Sequence, residues 1–386
     1  MGTGRICTVL IISLSTIIGT GCSKNDPEAC YTVSSYTDTI NQVISFNASC
    51  TKNCKYYYWD FGDGTIIKTQ NATHAYAAEG VYTVIFWASN SAGSTQGPQS
   101  VITITNWRKL NGGTTQNLAS VDFPIRDTGY AVGANGTIIK TANAGVKWTT
   151  QSSGVGTNLN SVQFINDNIG YVAGDHGTLL QTTDGGQTWN LQSTNTTLNL
   201  ASVFFTTYKT GYAVGAGGAV LQTTSAGSTW TLSSAVTTNL SSVFFTSTTT
   251  GFIVGVSGII LKTTNGGGSW SVVTSGTTNN LNSIYFAGGT TNGYIVGEKG
   301  TILETTDGGT TWTLVPVSGV STTLNSVYYD GSNVYTVGYG GLIEHSSSPT
   351  KWDNMMSSTT YSLQSVCFVN SNTGYIVGNN GTILKL

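Results

Sequence analysis

Charged side chains are scarce in this sequence. They make up 8% of its 386 residues, and the formal net charge is -2. Such a chain offers no basic surface to nucleic acid, so we expect no nucleic-acid partner. Proline is also rare, with 5 residues, which excludes a proline-rich disordered chain. What remains is rich in glycine and in β-branched and aromatic residues, a composition that favours short strands and tight turns.

Residues 1–22 have the pattern of an export signal. Arg5 supplies a positive start, residues 8–18 form an apolar core, and three small residues precede Cys22. The apolar core is too short to span a bilayer. A cysteine directly after small residues resembles the lipobox of bacterial lipoproteins, which implies lipidation at Cys22. Ordinary cleavage nearby, with Cys22 incidental, is the alternative. We therefore expect an exported lipoprotein anchored at the outer membrane or the cell surface.

An exported chain enters an oxidising compartment, where disulfides form. Cys30, Cys50 and Cys54 are close in sequence and allow one disulfide and one free thiol. The spacing does not choose between the three possible pairings. Cys367 lies far away on an apolar strand.

Residues 27–105 form the first predicted domain, in which short alternating strands are separated by turns. The motif WDFGDG at residues 59–64 lies near its middle. This segment resembles a polycystic-kidney-disease (PKD) domain. The resemblance implies an immunoglobulin-like sandwich of two sheets that serves as a spacer or as a weak binder of proteins or polysaccharides. Asp60 and Asp63 could bind Ca²⁺, but capping of the turn is the preferred interpretation.

Residues 106–386 form the second predicted domain, in which one unit recurs about every forty residues. Three landmarks recur: a strand with the pattern N/S/T-Leu-x-Ser, a strand with the pattern Gly-aromatic-x-x-Gly, and a tryptophan. The tryptophans are Trp107, Trp148, Trp189, Trp230, Trp270, Trp312 and Trp352. Each unit therefore has four short strands, here named a to d, with strand d starting at the tryptophan. This period predicts a propeller blade.

The tryptophans are offset from the other two landmarks. Trp107 precedes the first complete unit, and the last unit has no tryptophan. We therefore expect the strand at residues 106–110 to pair with the last unit, which completes a seven-bladed β-propeller and protects both sheet edges. The predicted fold class is all-β, a sandwich followed by this propeller.

The turn between strands c and d is the sharpest local motif. Residues 182–189, TTDGGQTW, and residues 305–312, TTDGGTTW, resemble the Asp-box of bacterial neuraminidases. The position of the aspartate is occupied in turn by Asn143, Asp184, Ser225, Asn265, Asp307 and Ser347. All of these side chains can bond to their own backbone in a turn, whereas a catalytic carboxylate would not tolerate serine. We therefore predict a structural turn with the tryptophan packed beneath it.

The repeats of residues 107–386 together resemble the photosystem II stability and assembly factor family. The resemblance rests on the motifs GYxVG and GTIIxTT with the degenerate Asp-box, and it implies a propeller. The family's assembly members use an arginine-rich surface near the ring centre. Here Arg108 and Arg126 are the only arginines after the export signal.

The residues predict a protein without catalytic activity, metal or cofactor. Sialidases hold the substrate carboxylate with three arginines and use a tyrosine nucleophile, and two arginines cannot form that set. Asp175 and His176 are sequence neighbours that we interpret as turn residues, and a GxSxG nucleophile motif is absent. The histidines are scattered without metal-ligand spacing, at His74, His176 and His345.

The tips between strands b and c vary from blade to blade, whereas their flanking glycines recur. A varied tip on a constant scaffold is what a binding surface requires. Drift in exposed turns is the alternative. The candidate ligand face comprises Asp175, His176, Glu298, Lys299, Tyr339 and Asn379.

The leading functional hypothesis is a monomeric, lipid-anchored surface protein in which the PKD domain holds out a propeller that binds a protein or a polysaccharide. An assembly factor for a membrane protein complex is the alternative. A sialidase-like glycoside hydrolase is a remote third.

Overall fold

Short strands joined by turns make up the computed structural model, which describes residues 25–234, 236–317, 319–348 and 351–386. The predicted signal sequence, residues 1–22, and the lipidation site Cys22 lie outside these residues. The described residues contain no α-helix, and hence no helix with the length and apolar character to cross a membrane. The chain divides into two compact units. One comprises residues 25–36, 43–74 and 82–101, and the other comprises residues 37–42, 75–81 and 102–386.

Two sheets form from residues 32–105, as the PKD resemblance predicts. The first has the spatial order Thr32–Val33, Ile44–Asn47, Asn71–His74. The second has the order Thr37–Thr39, Ser100–Thr105, Gly80–Ser89, Tyr56–Asp60, Ile66–Ile67, and Ser94–Gln96 also pairs with Gly80–Ser89. Thr37–Thr39 and Ser100–Thr105 run parallel, whereas the other pairs are antiparallel.

Aromatic rings from the WDFGDG motif fill the core of this sandwich. Trp59 and Phe61 are two residues apart and both are fully buried. The ring of Trp59 lies 4.2 Å from that of Phe86, and its indole N–H donates to the Thr69 carbonyl at 2.9 Å. These contacts fix the strand that carries the motif.

The carboxylates of the motif cap its turn, as the preferred interpretation predicts. Asp60 Oδ1 accepts the Gly62 N–H at 2.9 Å, and Asp63 Oδ1 accepts the Thr65 N–H at 2.9 Å. Asp63 Oδ2 also lies 2.7 Å from His74 Nε2. Burial raises the pKa of Asp63, but the bonds from Thr65 and His74 outweigh it and lower the pKa overall.

The structure selects one of the three disulfide pairings that the sequence left open. Cys30 is bonded to Cys50, with 5.5 Å between their Cα atoms. Cys54 is free, and its Sγ lies 2.9 Å from the Tyr56 carbonyl oxygen.

The described residues of the second unit form seven four-stranded antiparallel sheets, here named blades 1 to 7. The a strands are Leu118–Ile125, Leu159–Phe164, Leu200–Phe205, Leu240–Phe245, Leu281–Phe286, Leu324–Tyr329 and Leu363–Asn370. The b strands are Thr128–Gly133, Gly170–Gly174, Gly211–Gly215, Gly251–Gly255, Gly293–Gly297, Val334–Gly338 and Thr373–Gly378. The c strands are Ile138–Thr141, Leu179–Thr182, Ala219–Thr223, Ile260–Thr263, Ile302–Thr305, Ile343–Ser348 and Thr382–Lys385. The d strands are Trp148–Gln151, Asn190–Leu191, Thr231–Ser234, Ser271–Val273, Thr313–Leu314, Lys351–Met355 and, in blade 7, Arg108–Leu110.

The predicted pairing of the strand before the first repeat is present. Arg108–Leu110 runs antiparallel to Thr382–Lys385 and completes blade 7. Trp107 is fully buried, and its ring lies 6.0 Å from that of Phe368 in an edge-on arrangement. It therefore holds in blade 7 the place that the other tryptophans hold in their own blades.

The a strands of neighbouring blades pack side by side, and those of blades 1 and 7 do so as well. The serine of the N/S/T-Leu-x-Ser landmark links them. Ser120 Oγ accepts the Val162 N–H at 3.1 Å, and Ser365 Oγ accepts the Val121 N–H at 3.4 Å, which joins blade 7 to blade 1. The recurring serine is thus a link between blades.

Aromatic rings join neighbouring blades near the loops between strands a and b. Tyr130 of blade 1 stacks on Phe164 of blade 2 with 3.9 Å between ring centroids, and Trp189 meets Phe164 edge-on at 5.9 Å. The glycine that opens strand b leaves room for this ring, since a Cβ at Gly170 would lie 2.6 Å from Phe164. This explains why a glycine recurs before the aromatic residue.

Candidate binding surface

The two ends of the propeller carry different loops. One end, here called the turn face, carries the a–b loops and the Asp-box turns, which bond to each other, as the Ala226 N–H does to the Lys209 carbonyl at 2.9 Å. The other end, here called the tip face, carries the b–c tips and the d–a loops. The Ala216 N–H of a tip bonds to the Asn199 carbonyl of a d–a loop at 2.8 Å.

The Asp-box of blade 2 is a closed set of hydrogen bonds. Asp184 Oδ1 accepts the Thr188 N–H at 2.9 Å and the Thr182 hydroxyl at 2.8 Å, and Asp184 Oδ2 accepts the Thr188 hydroxyl at 2.6 Å. The two bonds from Thr188 lower the pKa of Asp184 to about 2. The carboxylate is therefore occupied by its own turn, as the structural interpretation predicts.

The Asp-box turns of blades 1 to 5 also bind the preceding blade. The Gly185 carbonyl of blade 2 accepts the Tyr130 hydroxyl at 2.7 Å and the Lys140 ammonium at 2.6 Å, both from blade 1. The same contact joins blade 7 to blade 1, where Tyr375 and Lys385 donate to the Ala144 carbonyl. The Asp-box turn therefore links adjacent blades by hydrogen bonds. The repeat pattern did not reveal this role.

The b–c tips share one backbone conformation in blades 1 to 6, a single 3₁₀ turn. Their bounds are Ala134–Gly136, Asp175–Gly177, Ala216–Gly218, Val256–Gly258, Glu298–Gly300 and Tyr339–Gly341. The second residue of each has positive φ, as His176 does at 56°. The third is always glycine, and a Cβ at Gly177 would lie 1.9 Å from the Thr196 carbonyl oxygen. The tips therefore hold their shape whatever their first two side chains are.

An asparagine before strand a fixes two tips at once. The Asn199 carbonyl accepts from the tip of its own blade, and Asn199 Oδ1 accepts the His176 N–H of the preceding blade at 2.9 Å. Asn117 does the same for blade 7, accepting the Asn380 N–H at 2.9 Å. The asparagines in this role are Asn117, Asn158, Asn199, Asn239 and Asn280. Their recurrence in the first landmark was the available signal, and sequence reasoning missed its meaning.

Three of the predicted ligand-face residues are held within their own blades. Asp175 accepts the side-chain amides of Asn158 at 3.0 Å and Asn160 at 2.9 Å. Glu298 and Asn379 are held in the same way by one amide each, at 2.9 and 3.1 Å. All three are half-buried, so each carries a polar group that is fixed in place.

The other three predicted residues are exposed. His176 and Lys299 are the second residues of their tips, and Tyr339, a first residue, has 66% of its surface exposed. The structure therefore places the six candidates on one face but on blades 2, 5, 6 and 7. They form spaced positions on that face, and the described contacts do not gather them into one pocket.

The two arginines lie away from the tips. Arg108 is exposed on strand d of blade 7, and Arg126 is exposed between strands a and b of blade 1. Neither arginine therefore belongs to the candidate ligand face.

The inner strands carry one partly buried carboxylate among the described residues. Asp122 Oδ2 accepts the Phe164 N–H at 2.6 Å, and in the next blade Gln163 Oε1 accepts the Phe205 N–H at 2.6 Å. Burial raises the pKa of Asp122 to about 6, although the bonds from the Phe164 and Phe123 N–H groups oppose this. Asp122 and Gln163 therefore make the same link to the next blade, one with a carboxylate and the other with a neutral amide.

These features define the protein as a seven-bladed β-propeller of Asp-box repeats preceded by a PKD domain. The family model of the photosynthesis system II assembly factor YCF48 matches residues 99–199, 190–264 and 266–356, and a PKD domain model matches residues 25–105. The chain belongs to the YCF48 family.

Solved structures with the same fold include relatives of this family. YCF48 bound to a D1 peptide has 19% identity and a TM-score of 0.61, covering 72% of this chain and 94% of that one. YCF48 from Cyanidioschyzon merolae has 20% identity and a TM-score of 0.62, covering 72% and 98%. The WD40 propeller domain of Doa1 has 11% identity and a TM-score of 0.60, covering 73% and 96%. At these identities the likeness concerns the fold alone.

One curated relative matches a short part of the chain. Collagenase ColA of Bacillus cereus is 37% identical over 73 residues, which are 18% of this chain and 8% of the collagenase. The chain therefore spans less than a tenth of that enzyme.

Proposed function

We propose that this chain is a non-enzymatic binding protein whose propeller presents its tip face to a partner protein. The supporting observation is that the tips have one conformation, fixed by glycine in every blade and by asparagines of the d–a loops at the tips of blades 1 to 4 and 7, while their exposed second residue changes. In blade order these residues are Asn135, His176, Gly217, Ser257, Lys299, Gly340 and Asn380. A rigid frame with differing side chains favours recognition, because little conformational entropy is lost on binding.

Family membership supports a protein as the partner. One solved YCF48 structure holds a D1 peptide. This chain has only Arg108 and Arg126 after residue 22, so the arginine-rich surface implied by the family resemblance cannot be its means of recognition. Tips of both charge signs, with Asp175 and Glu298 beside His176 and Lys299, suit a partner segment of mixed polarity.

The proposed location is the outer membrane or the cell surface, with a lipid anchor at Cys22 and the PKD domain as spacer. The export pattern of residues 1–22 supports it. An assembly factor for a membrane protein complex, facing the periplasm, is the second candidate and is favoured by the family that the chain belongs to. Protease treatment of intact cells separates the two, because it removes a surface protein and spares a periplasmic one.

Crosslinked pull-down of the native lipoprotein tests the binding function. The tip variant is His176→Asn with Lys299→Asn, which keeps a residue type found at the same position in other blades. The matched control is Tyr208→Ala with Lys209→Ala, two exposed residues of an a–b loop on the turn face. We expect the wild type and the control to capture one partner that the tip variant loses. Equal capture by the tip variant would overturn the proposal, as would hydrolysis of a glycan panel by the purified chain.

A further inference from the structure

Blade 6 departs from the other blades at one row of residues that crosses strands b, c and d. In blade 4 this row is Ile253, Leu261 and Val272, which are direct neighbours across the sheet. In blade 6 the same positions hold Thr336, Glu344 and Asn354. An aliphatic row, buried at Ile253 and Leu261 and exposed at Val272, has therefore become polar.

The middle residue of this row is a buried carboxylate. Glu344 is 3% exposed, and its Oε1 accepts the side-chain amide of Asn354 at 2.8 Å. Burial raises the pKa of Glu344, in spite of that bond. Burying an acid where leucine stands in blade 4 lowers stability. This cost favours a functional role for Glu344.

Asn354 lines a groove on the tip side of blade 6, here called the blade 6 groove. It has a volume of about 770 Å³, within the usual range for small-molecule sites. Since a carboxylate can only accept hydrogen bonds, the contact with Glu344 uses the amide nitrogen of Asn354. The amide oxygen and the second N–H of Asn354, which is exposed, are then oriented for a ligand.

Two exposed tyrosines stand at the blade 6 groove. Tyr339 is 66% exposed and Tyr361 is 44% exposed, and both line it. Hydroxyl side chains from residues 357–360 line the same groove. Exposed aromatic rings offer flat apolar surfaces, and the C–H faces of sugar rings stack on such surfaces while their hydroxyls bond to amides and hydroxyls.

The charges at the groove argue against a cationic ligand. Lys109 also lines it, so an ammonium group would meet a like charge. An anionic ligand would lie near the Glu344 carboxylate, which the amide of Asn354 bonds directly. A neutral polyol meets neither repulsion.

We propose that the blade 6 groove binds a neutral saccharide, with Tyr339 and Tyr361 as stacking surfaces and Asn354, oriented by Glu344, as the hydrogen-bonding group. This site lies on blade 6, whereas the tip residues His176 and Lys299 that test protein binding lie on blades 2 and 5. The corresponding groove of blade 4 contains Val272 instead of Asn354 and no tyrosine, and it serves as an internal control.

Isothermal titration of the full mature chain with chitohexaose, cellohexaose and mannohexaose tests the site. We expect saturable binding of at least one of the three. Tyr339→Ala and Asn354→Val should each weaken that binding about tenfold or more, and the control Val272→Ala should leave it unchanged. Thermal unfolding of each variant checks the fold, and the exposed Tyr339 gives a variant that does not disturb the core.

Three results would overturn the proposal. The first is that none of the three hexasaccharides binds. The second is that Val272→Ala weakens binding as much as the groove variants do. The third is that hexalysine binds the chain and that Tyr339→Ala weakens this binding. Such a result would identify a basic peptide as the ligand of the blade 6 groove.

Discussion

The turn face and the tip face of the propeller use their recurring residues differently. On the turn face, side chains make the recurring contacts, through the tyrosine, phenylalanine and tryptophan rings and the Asp-box. On the tip face, backbone groups and the d–a asparagines make them, and the first two tip side chains are left to vary. A substitution should therefore cost stability at one face and alter recognition at the other.

The largest effect is expected on the turn face, at a tryptophan. Trp230→Ala removes a buried ring that lies edge-on to Phe205 at 5.9 Å. The free energy of unfolding should fall by about 3–5 kcal/mol, the usual cost of truncating a buried aromatic residue. Urea unfolding followed by circular dichroism measures it. Trp230→Phe is the control and should cost less, because the indole N–H has no hydrogen-bond partner among the described residues. An unchanged midpoint for Trp230→Ala would contradict the importance of this packing.

The next effect tests whether the tip backbone is fixed. Gly177→Ala places a Cβ 1.9 Å from the Thr196 carbonyl oxygen, whereas Gly154→Ala, at nearly the same positive φ, meets nothing within 4 Å. Both lose about 1 kcal/mol from strained φ. Gly177→Ala should lose about 2–3 kcal/mol in total, since the backbone must also move. If Gly177→Ala and Gly154→Ala lower the free energy of unfolding equally, the tip backbone is able to adjust. The tip face would then not be a rigid frame, and the proposed difference between the two faces would be wrong.

A smaller effect is expected on the inner strands, where Asp122 of blade 1 and Gln163 of blade 2 accept equivalent backbone hydrogen bonds with a carboxylate and an amide, respectively. The pKa of Asp122 is raised to about 6 by burial, against about 3.9 in the unfolded chain. A carboxyl whose pKa is higher in the folded state than in the unfolded chain stabilises the fold while it is protonated. The contribution of Asp122 is therefore complete below about pH 4 and is lost as the pH rises through about 6. Asp122→Asn should therefore stabilise the protein by about 1–3 kcal/mol at pH 7.5 and by nothing measurable at pH 3.5.

Chemical unfolding at the two pH values measures this difference. Gln163→Glu is the reciprocal control and should destabilise at pH 7.5, because it puts a carboxylate at the equivalent bond in the next blade. A pH-independent effect of Asp122→Asn would contradict the assignment.

The smallest effect on stability is expected at the exposed tip residues. His176→Asn should change the free energy of unfolding by less than about 0.5 kcal/mol. Asparagine holds the same positive φ at Asn135 and Asn380. A larger loss of stability would show that the tip side chains support the frame, which would remove the distinction between the two faces.

The architecture could be predicted from the sequence because it depends on regular spacing. Seven tryptophans offset from seven copies of strands a and b predicted the pairing of Arg108–Leu110 with the last blade, and the structure contains it. The WDFGDG motif predicted the sandwich and the capping role of Asp60 and Asp63. Such patterns report which face of a strand is buried.

Contacts between blades could not be predicted in this way. The bond from Tyr130 and Lys140 to the Gly185 carbonyl joins residues of different blades, and one partner is a backbone group that leaves no trace in the side-chain pattern. The pairing of Cys30 with Cys50 depends on the distance between two strands, which spacing along the chain does not fix. The polar row at Glu344 was visible as a departure from the repeat, but its meaning required the groove beside Asn354.

The pairing of Arg108–Leu110 with Thr382–Lys385 also bears on how the chain reaches its native state. Blades 1 to 6 each consist of strands that follow one another in sequence, so they can form by local hairpins. Blade 7 requires two strands from opposite ends of the repeat array, and joining distant segments is slow. Until they meet, the edge of Thr382–Lys385 that receives Arg108–Leu110 stays open to strands of other molecules. We therefore expect the last kinetic phase of refolding to be the one most sensitive to protein concentration.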